Sequence, residues 1–287
     1  MEFFLLGIFF LGSIVGSFLN VVVFRFGFQE APRSRSACQA CGHTLQWFEL
    51  FPIASFIFLR GKCRACGSAL SPQYPLMELS LGILFVLTML AVPFPLTLVG
   101  ILFFASALVF WAVFLAITVY DLKHTLVPSV LAWWLIGSAV AMRGLDALLF
   151  SDPALFVDGV IGGVLSAFFI GIVVLVTRGR GMGAGDIYIA GAIGILFGLS
   201  RGFEVLLIAF WIGALVGIAL IGGGYLYRTY RLPPFLRSKN LQRGKGGFRM
   251  KSEVPFVPFL FLATCIGMFT HFSPLALIAT YTGILWP

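Results

Sequence analysis

The sequence predicts an all-α polytopic membrane protein with about eight transmembrane helices and a small cytosolic insertion after the first helix. Hydrophobic residues make up 60% of its 287 residues and charged residues only 10%, whereas a globular chain has about 25% charged residues. The mean hydropathy is +1.04. This composition excludes a soluble protein, a disordered chain and a nucleic-acid-binding domain as descriptions of the whole, and it predicts the lipid bilayer as the main partner.

Eight apolar runs approach or reach the ~20 residues that a helix needs to cross a hydrocarbon core of about 30 Å. They are residues 3–24, 74–92, 96–120, 126–142, 157–177, 184–199, 203–227 and 254–271. A last apolar stretch, 274–286, is too short to cross comfortably. We expect it at the membrane interface or packed on the helical bundle.

Positive charges predict the orientation, because cytosolic loops carry an excess of Lys and Arg. Of the 19 Lys and Arg residues, only Arg143 and Arg201 fall on the outer side. We therefore expect the N-terminus outside and the two long basic loops in the cytosol. The chain then divides into a first helix (1–24), a cytosolic cysteine module (25–72) and a helical core (73–287) that contains the basic loop 228–253.

The cysteine module contains two Cys-x-x-Cys pairs, each followed by glycine. The pairs are Cys38 with Cys41 and Cys63 with Cys66. Four thiolates suit tetrahedral Zn²⁺, and this spacing is typical of zinc sites. Disulfides are not expected in the reducing cytosol. The pattern predicts a structural zinc knuckle, with free thiols in a loop that no longer binds metal as the alternative.

Two carboxylates stand at the cytosolic ends of predicted spans. Asp121 ends the third span, and Asp186 opens the sixth, directly after Gly183-Ala-Gly185. Two carboxylates at one depth can share a proton and activate a water molecule, as in aspartic proteases. Gly183 and Gly185 permit an irregular backbone and the close approach of an extended peptide substrate. The pattern predicts peptide hydrolysis at the membrane edge.

Simpler interpretations of these carboxylates stay open at this point. Asp186 can cap the start of a helix, whereas Asp121 stands at a helix end where the dipole disfavours an acid. An ion-coupled transporter also uses membrane acids, as proton relays. A third alternative is a non-enzymatic membrane adaptor with a zinc module, which would give neither aspartate a function.

Taken together and in this order, the motifs resemble those of the bacterial type IV prepilin peptidases, integral-membrane aspartic proteases of the Gly-x-Gly-Asp class. The resemblance covers Gly16-Ser-Phe-Leu-Asn20, both cysteine pairs, Pro72-Gln-Tyr-Pro-Leu-Met-Glu78, Asp121 with Pro128, Gly183-Ala-Gly-Asp186 and Pro255-Phe-Val-Pro-Phe-Leu260. Three positions depart from the family pattern: Ser129, Tyr188 and Val257. None of these departures removes a proton-transfer group.

The resemblance implies an enzyme of the bacterial inner membrane that removes the leader peptide of type IV prepilins and pseudopilins on the cytosolic side. It also implies N-methylation of the new N-terminal residue, with S-adenosylmethionine as the methyl donor. Asp121 and Asp186 match the catalytic aspartates of the family, and the four cysteines match its cytosolic cysteine motif.

Glu78 and Asn20 are candidate binding residues. Glu78 is a candidate for binding a cation, such as the sulfonium of the cofactor or the substrate amine, and its alternative is an interfacial acid beside the basic loop. Asn20 is a candidate for holding the substrate backbone. A transmembrane asparagine more often forms a hydrogen bond to a neighbouring helix.

Overall fold

The apolar runs fold into helices. A computed structural model of the protein describes residues 2–25, 36–38, 40–91, 95–179, 182–230, 255–270 and 272–273. Its helices are α1 (Glu2–Arg25), α2 (Ala54–Phe58), α3 (Gln73–Ala91), α4 (Leu98–His124), α5 (Ser129–Leu149), α6 (Pro153–Val176), α7 (Gly185–Tyr230) and α8 (Val257–Phe269). Six of them, α1 and α3 to α7, are long and apolar enough to span a membrane, and α8 is a shorter apolar helix. The predicted all-helical membrane protein is confirmed.

The chain forms two compact units, Met1–Gly159 and Val160–Pro287. In the first unit, α1 packs against α3, α4 packs against α5, and α4 also contacts α1 and α3. Its core includes three fully buried aromatic residues of α4, namely Phe110, Trp111 and Phe114. In the second unit, α7 packs against α8. The segment boundaries expected near residues 25 and 73 stay predictions.

Glycines bring α1 and α3 together. A Cβ added at Gly12 would lie 2.8 Å from the Leu81 carbonyl oxygen, and one added at Gly16 would lie 2.9 Å from the Glu78 Cα. From the other side, a Cβ at Gly82 would lie 2.8 Å from Ser13 Oγ. Small residues let helix backbones approach closely in membranes, so this seam depends on the absence of side chains.

The chain reverses inside α7. Gly198 has φ 79° and ψ −175°, a conformation essentially restricted to glycine. A Cβ added at Gly202 would lie only 3.1 Å from the Gly194 Cα, although a straight helix would separate these residues by about 12 Å at 1.5 Å per residue. The two arms that meet at Gly198 therefore correspond to the predicted spans 184–199 and 203–227.

The number of predicted spans agrees with this architecture once the two arms of α7 are counted separately. Short α8 corresponds to the run 254–271. Two sequence predictions lie outside the described residues, namely the placement of 274–286 and that of nearly all of the basic loop 228–253.

We predict that Gly16→Ala lowers the free energy of unfolding by about 1–3 kcal/mol, the usual cost of overpacking, because the new Cβ meets the α3 backbone. Gly7→Ala is the matched control, since no atom lies within 4 Å of a Cβ at Gly7 in the same helix. Thermal unfolding in detergent measures both variants. Equal melting temperatures for the two would contradict the close seam between α1 and α3.

Candidate functional sites

The two cysteine pairs fold as near-identical knuckles. In the first, the backbone N–H of Gly42 donates to the Cys38 carbonyl at 2.9 Å, and in the second, Gly67 donates to the Cys63 carbonyl at the same distance. Both glycines have positive φ angles, 72° and 70°, which glycine adopts without strain. The glycine after each Cys-x-x-Cys pair therefore lets the backbone turn, and the turn brings the two thiols of that pair together.

The four sulfur atoms converge. The Sγ atoms of Cys38, Cys41, Cys63 and Cys66 all lie within 4.8 Å of one another, and Cys38 Sγ lies 3.9 Å from Cys66 Sγ. Tetrahedral coordination with metal–sulfur bonds of ~2.3 Å would place the sulfurs ~3.8 Å apart. Cys38 and Cys63 are buried and the other two are exposed. The four-cysteine cluster can therefore hold a metal ion with little rearrangement.

Neighbouring groups favour the thiolate form of two of the four cysteines, Cys38 and Cys66. The Ser68 hydroxyl, together with the backbone N–H groups of Ala40 and Cys41, lowers the pKa of Cys38 to about 6. Ser68 also contacts the Cys66 sulfur at 3.1 Å and lowers the pKa of that thiol. Sequence reasoning missed Ser68, although its position directly after Cys66-Gly67 was a signal.

His43 contacts an acidic side chain of the same module. Its Nε2 lies 3.5 Å from Oε2 of Glu49, whose side chain is almost fully buried. The same Glu49 oxygen accepts the backbone N–H of Gln46 at 2.7 Å, which fixes the 3-10 turn Trp47–Leu50. The His43 imidazole therefore lies against Glu49, and the converging cluster consists of the four cysteines.

A hydrogen bond to Glu78 connects the cysteine module to the membrane helices. Glu78 is buried in α3, and its Oε2 accepts the backbone N–H of Ile53 at 2.7 Å. The Ser17 side chain of α1 forms a second hydrogen bond to the carboxylate. Ile53 has φ 61°, which is strained for a β-branched residue. No pattern in the sequence predicts this anchoring contact, and cation binding by Glu78 stays a prediction.

Asn20 lies in the same seam. It is fully buried, and its Nδ2 donates to the backbone carbonyl of Tyr74 at 3.2 Å. This contact is the helix-to-helix bond that transmembrane asparagines commonly form. Its expected role in holding the substrate backbone stays a prediction.

Asp121 belongs to the first unit, in the last turn of α4. It is 5% exposed, and its carbonyl accepts the Thr125 N–H at 2.8 Å. Thr125 is left-handed, with φ 53°, and Pro128 then stands at the N-cap of α5. The short turn between α4 and α5 therefore holds Asp121 at the very end of a membrane-spanning helix.

Asp186 belongs to the second unit, in the first turn of α7. It is 4% exposed, and its Oδ2 accepts the Gly183 N–H at 3.0 Å while its own N–H donates to the Gly183 carbonyl at 3.1 Å. Gly183 thus shapes the turn through its backbone, and Gly185 begins the helix. Their expected contact with substrate stays a prediction, as do the catalytic roles of both aspartates.

Two family models match successive parts of the chain. The family model of the Bacterial Peptidase A24 N-terminal domain matches residues 10–92, and that of the Type IV leader peptidase family matches residues 107–218. A prepilin leader peptidase/N-methyltransferase of Myxococcus xanthus is 36% identical over 245 residues, which cover 84% of this chain and 68% of that protein.

Proteins of the same description from other bacteria are also similar. The one from Bacillus subtilis is 30% identical over 79% of this chain and 87% of its own length. The one from Pseudomonas aeruginosa is 28% identical over 90% of this chain and 87% of its own length. No solved structure matches the chain.

The structure combines helices that can cross the membrane with a four-cysteine cluster after the first of these helices. These features define a multi-pass membrane protein with a module that can bind a metal ion. The matches to both family models and the similarity to these relatives make the assignment specific. The chain belongs to the type IV leader peptidase family and is therefore a peptidase.

We predict that Cys66→Ser loses most of the bound metal, because one of the four converging thiolates is gone. Cys265→Ser is the control, since Cys265 lies in α8 and outside the cluster. Elemental mass spectrometry of the purified full chain measures metal per protein. A full complement of metal in Cys66→Ser, retained after Cys41→Ser is added, would contradict the four-cysteine site.

Proposed function

We propose that this protein is an aspartic endopeptidase that removes the leader peptide of type IV prepilins and pseudopilins and methylates the new N-terminus. The observation that carries the proposal is a buried carboxylate at the end of a spanning helix in each unit, Asp121 and Asp186, in a chain of the type IV leader peptidase family. The charge distribution supports a cytosolic active site, and the similarity to bacterial relatives supports the bacterial inner membrane.

The helix ends suggest different tasks for the two carboxyls. Asp186 lies at the N-terminus of α7 and accepts the Gly183 N–H, where the helix dipole favours a negative charge. Asp121 lies at the C-terminus of α4, where the dipole opposes one. We therefore assign Asp186 as the general base and Asp121 as the group that carries the shared proton.

The proposed reaction needs no other protein nucleophile. Asp186 takes a proton from water as the water oxygen attacks the scissile carbonyl carbon. The carbon–nitrogen bond then breaks, and the leaving amine takes a proton from Asp121. The glycine-rich turn before Asp186 leaves room for an extended peptide backbone, which can pair with exposed backbone groups.

The four-cysteine cluster is proposed to hold structural Zn²⁺. Its sulfur geometry fits this ion, and four thiolates leave no coordination position for water. Zinc therefore stabilises the module between α1 and α3 and takes no part in peptide hydrolysis.

For methylation, S-adenosylmethionine would supply the methyl group. Glu78 is the residue we assign to hold a cation, either the sulfonium or the N-terminal amine. Its carboxylate is buried and forms no ion pair with any residue that the structure describes. A buried carboxylate without a cationic partner is suited to bind a positively charged ligand.

Mass spectrometry of a model prepilin, incubated with purified protein and S-adenosylmethionine, tests the proposal. Wild type is expected to remove the leader and to add ~14 Da to the mature N-terminus, whereas Asp121→Asn and Asp186→Asn leave the prepilin intact. Each is expected to lose activity by about 10⁴-fold, as when an essential triad residue is lost. Asp152→Asn, at an exposed site that caps α6, should cleave normally.

Normal cleavage by a folded Asp121→Asn or Asp186→Asn variant would contradict the proposal. Failure of a folded, zinc-loaded wild type to cleave any prepilin or pseudopilin would instead favour the transporter or the adaptor.

We predict that Glu78→Gln separates the two activities. Glutamine keeps an acceptor for the Ile53 N–H but removes the charge, so methylation should fall by about tenfold or more while leader cleavage persists. Glu204→Gln is the control, since Glu204 is also buried but pairs with Arg201. The ratio of methylated to unmethylated product measures the effect. An unchanged ratio in Glu78→Gln would limit Glu78 to anchoring the module.

A further inference from the structure

The segment between the two knuckles exposes an unusual amount of apolar surface for a loop outside the spanning helices. Six large apolar side chains are exposed there, namely Trp47, Phe48, Leu50, Phe51, Ile57 and Phe58. Trp47 is 78% exposed and Phe58 is 86% exposed. Residues of this kind in a water-soluble module are normally buried, and a contiguous exposed patch marks an interaction surface.

The contact with Glu78 places this segment at the edge of the membrane. Ile53, in the middle of the segment, donates its N–H to Glu78, which lies in the second turn of the spanning helix α3. At 1.5 Å per residue, Glu78 is about 7.5 Å inside the first residue of α3. The segment is therefore held beside the first two turns of a spanning helix.

The charges that flank the patch complement lipid headgroups. Arg60, Lys62 and Arg64 directly follow the apolar residues, and all three are exposed. Arg64 also lies over the ring of Phe48, 5.2 Å from its centroid. Glu49, the one acid between residues 36 and 72, is buried against His43 and Gln46. The exposed surface thus combines apolar side chains with cations and presents no negative charge.

We propose that the segment Trp47–Arg64 docks on the membrane surface as an interfacial anchor. Its apolar side chains enter the boundary between headgroups and acyl chains, and its three cations face anionic headgroups, as in interfacial helices. The Ile53–Glu78 hydrogen bond sets the depth of the anchor. The metal module then lies against the bilayer at the end of α3 and does not extend freely into the cytosol. This anchor is independent of the proposed enzymatic function.

Fluorescence quenching of Trp47 tests the anchor without an activity assay. The full chain is placed singly in nanodiscs that contain phosphatidylglycerol and phosphatidylcholine, one of the two brominated near the carboxyl end of its acyl chains. The fluorescence of Trp47 is obtained by subtracting the emission of the Trp47→Phe variant from that of wild type. We expect brominated lipid to remove about half of this emission, as for a side chain at the interface, and neutral aqueous acrylamide to have little effect.

The α5 residue Trp133 provides the matched control, since it is 61% exposed in a spanning helix. The emission lost in Trp133→Phe should also be quenched by brominated lipid. For Trp47 alone, brominated phosphatidylglycerol should quench about twofold more strongly than brominated phosphatidylcholine. Arg60→Gln with Lys62→Gln should remove this difference.

Quenching of Trp47 by acrylamide and not by brominated lipid would overturn the anchor. Stronger quenching by bromine at the middle of the acyl chain would overturn the interfacial depth. Equal quenching by the two brominated lipids in wild type would overturn the assignment of the cations to anionic headgroups. A further outcome is that acrylamide quenches Trp47 in nanodiscs that hold one copy of the chain but not in nanodiscs that hold two copies. That result would show that the patch contacts a second copy of this chain instead of lipid.

Discussion

The hydrogen bond from the Ile53 backbone to the Glu78 carboxylate is the contact that positions the metal module, because it joins this module to the membrane helices. A buried carboxylate without hydrogen bonds is costly. The bond requires Glu78 to stand in the seam where Gly16 of α1 leaves room for the α3 backbone. The close seam between α1 and α3 and the strained Ile53 turn therefore meet at Glu78.

The two candidate catalytic carboxylates are held by the opposite ends of helices. Asp121 is fixed where α4 ends in the left-handed Thr125, and Asp186 is fixed where α7 begins at the Gly183 turn. A backbone turn lies next to each carboxylate, at Thr125 and at Gly183. This arrangement suits an enzyme whose substrate is an extended peptide, since glycine-rich and turn-forming segments leave the backbone approachable.

Local patterns in the sequence predicted the parts of the structure that depend on local physics. Hydropathy located the spanning helices, and the spacing of Cys38, Cys41, Cys63 and Cys66 predicted a converging cluster because each knuckle is a short turn. The reversal at Gly198 was expected a few residues later, near Arg201, since apolar residues continue on both sides of it. The pairing of Glu78 with Ile53 joins a side chain to a backbone group 25 residues away, and hydrophobic patterning carries no information on such a pair.

The proposed reaction requires that Asp121 and Asp186 act on the same water molecule. An experimental structure of the full chain in a lipid nanodisc, bound to an uncleaved prepilin, tests it most directly. Asp121 and Asp186 are both expected to lie within hydrogen-bonding reach of one water at the scissile carbonyl. Carboxyls too far apart to share a water in that complex would contradict it.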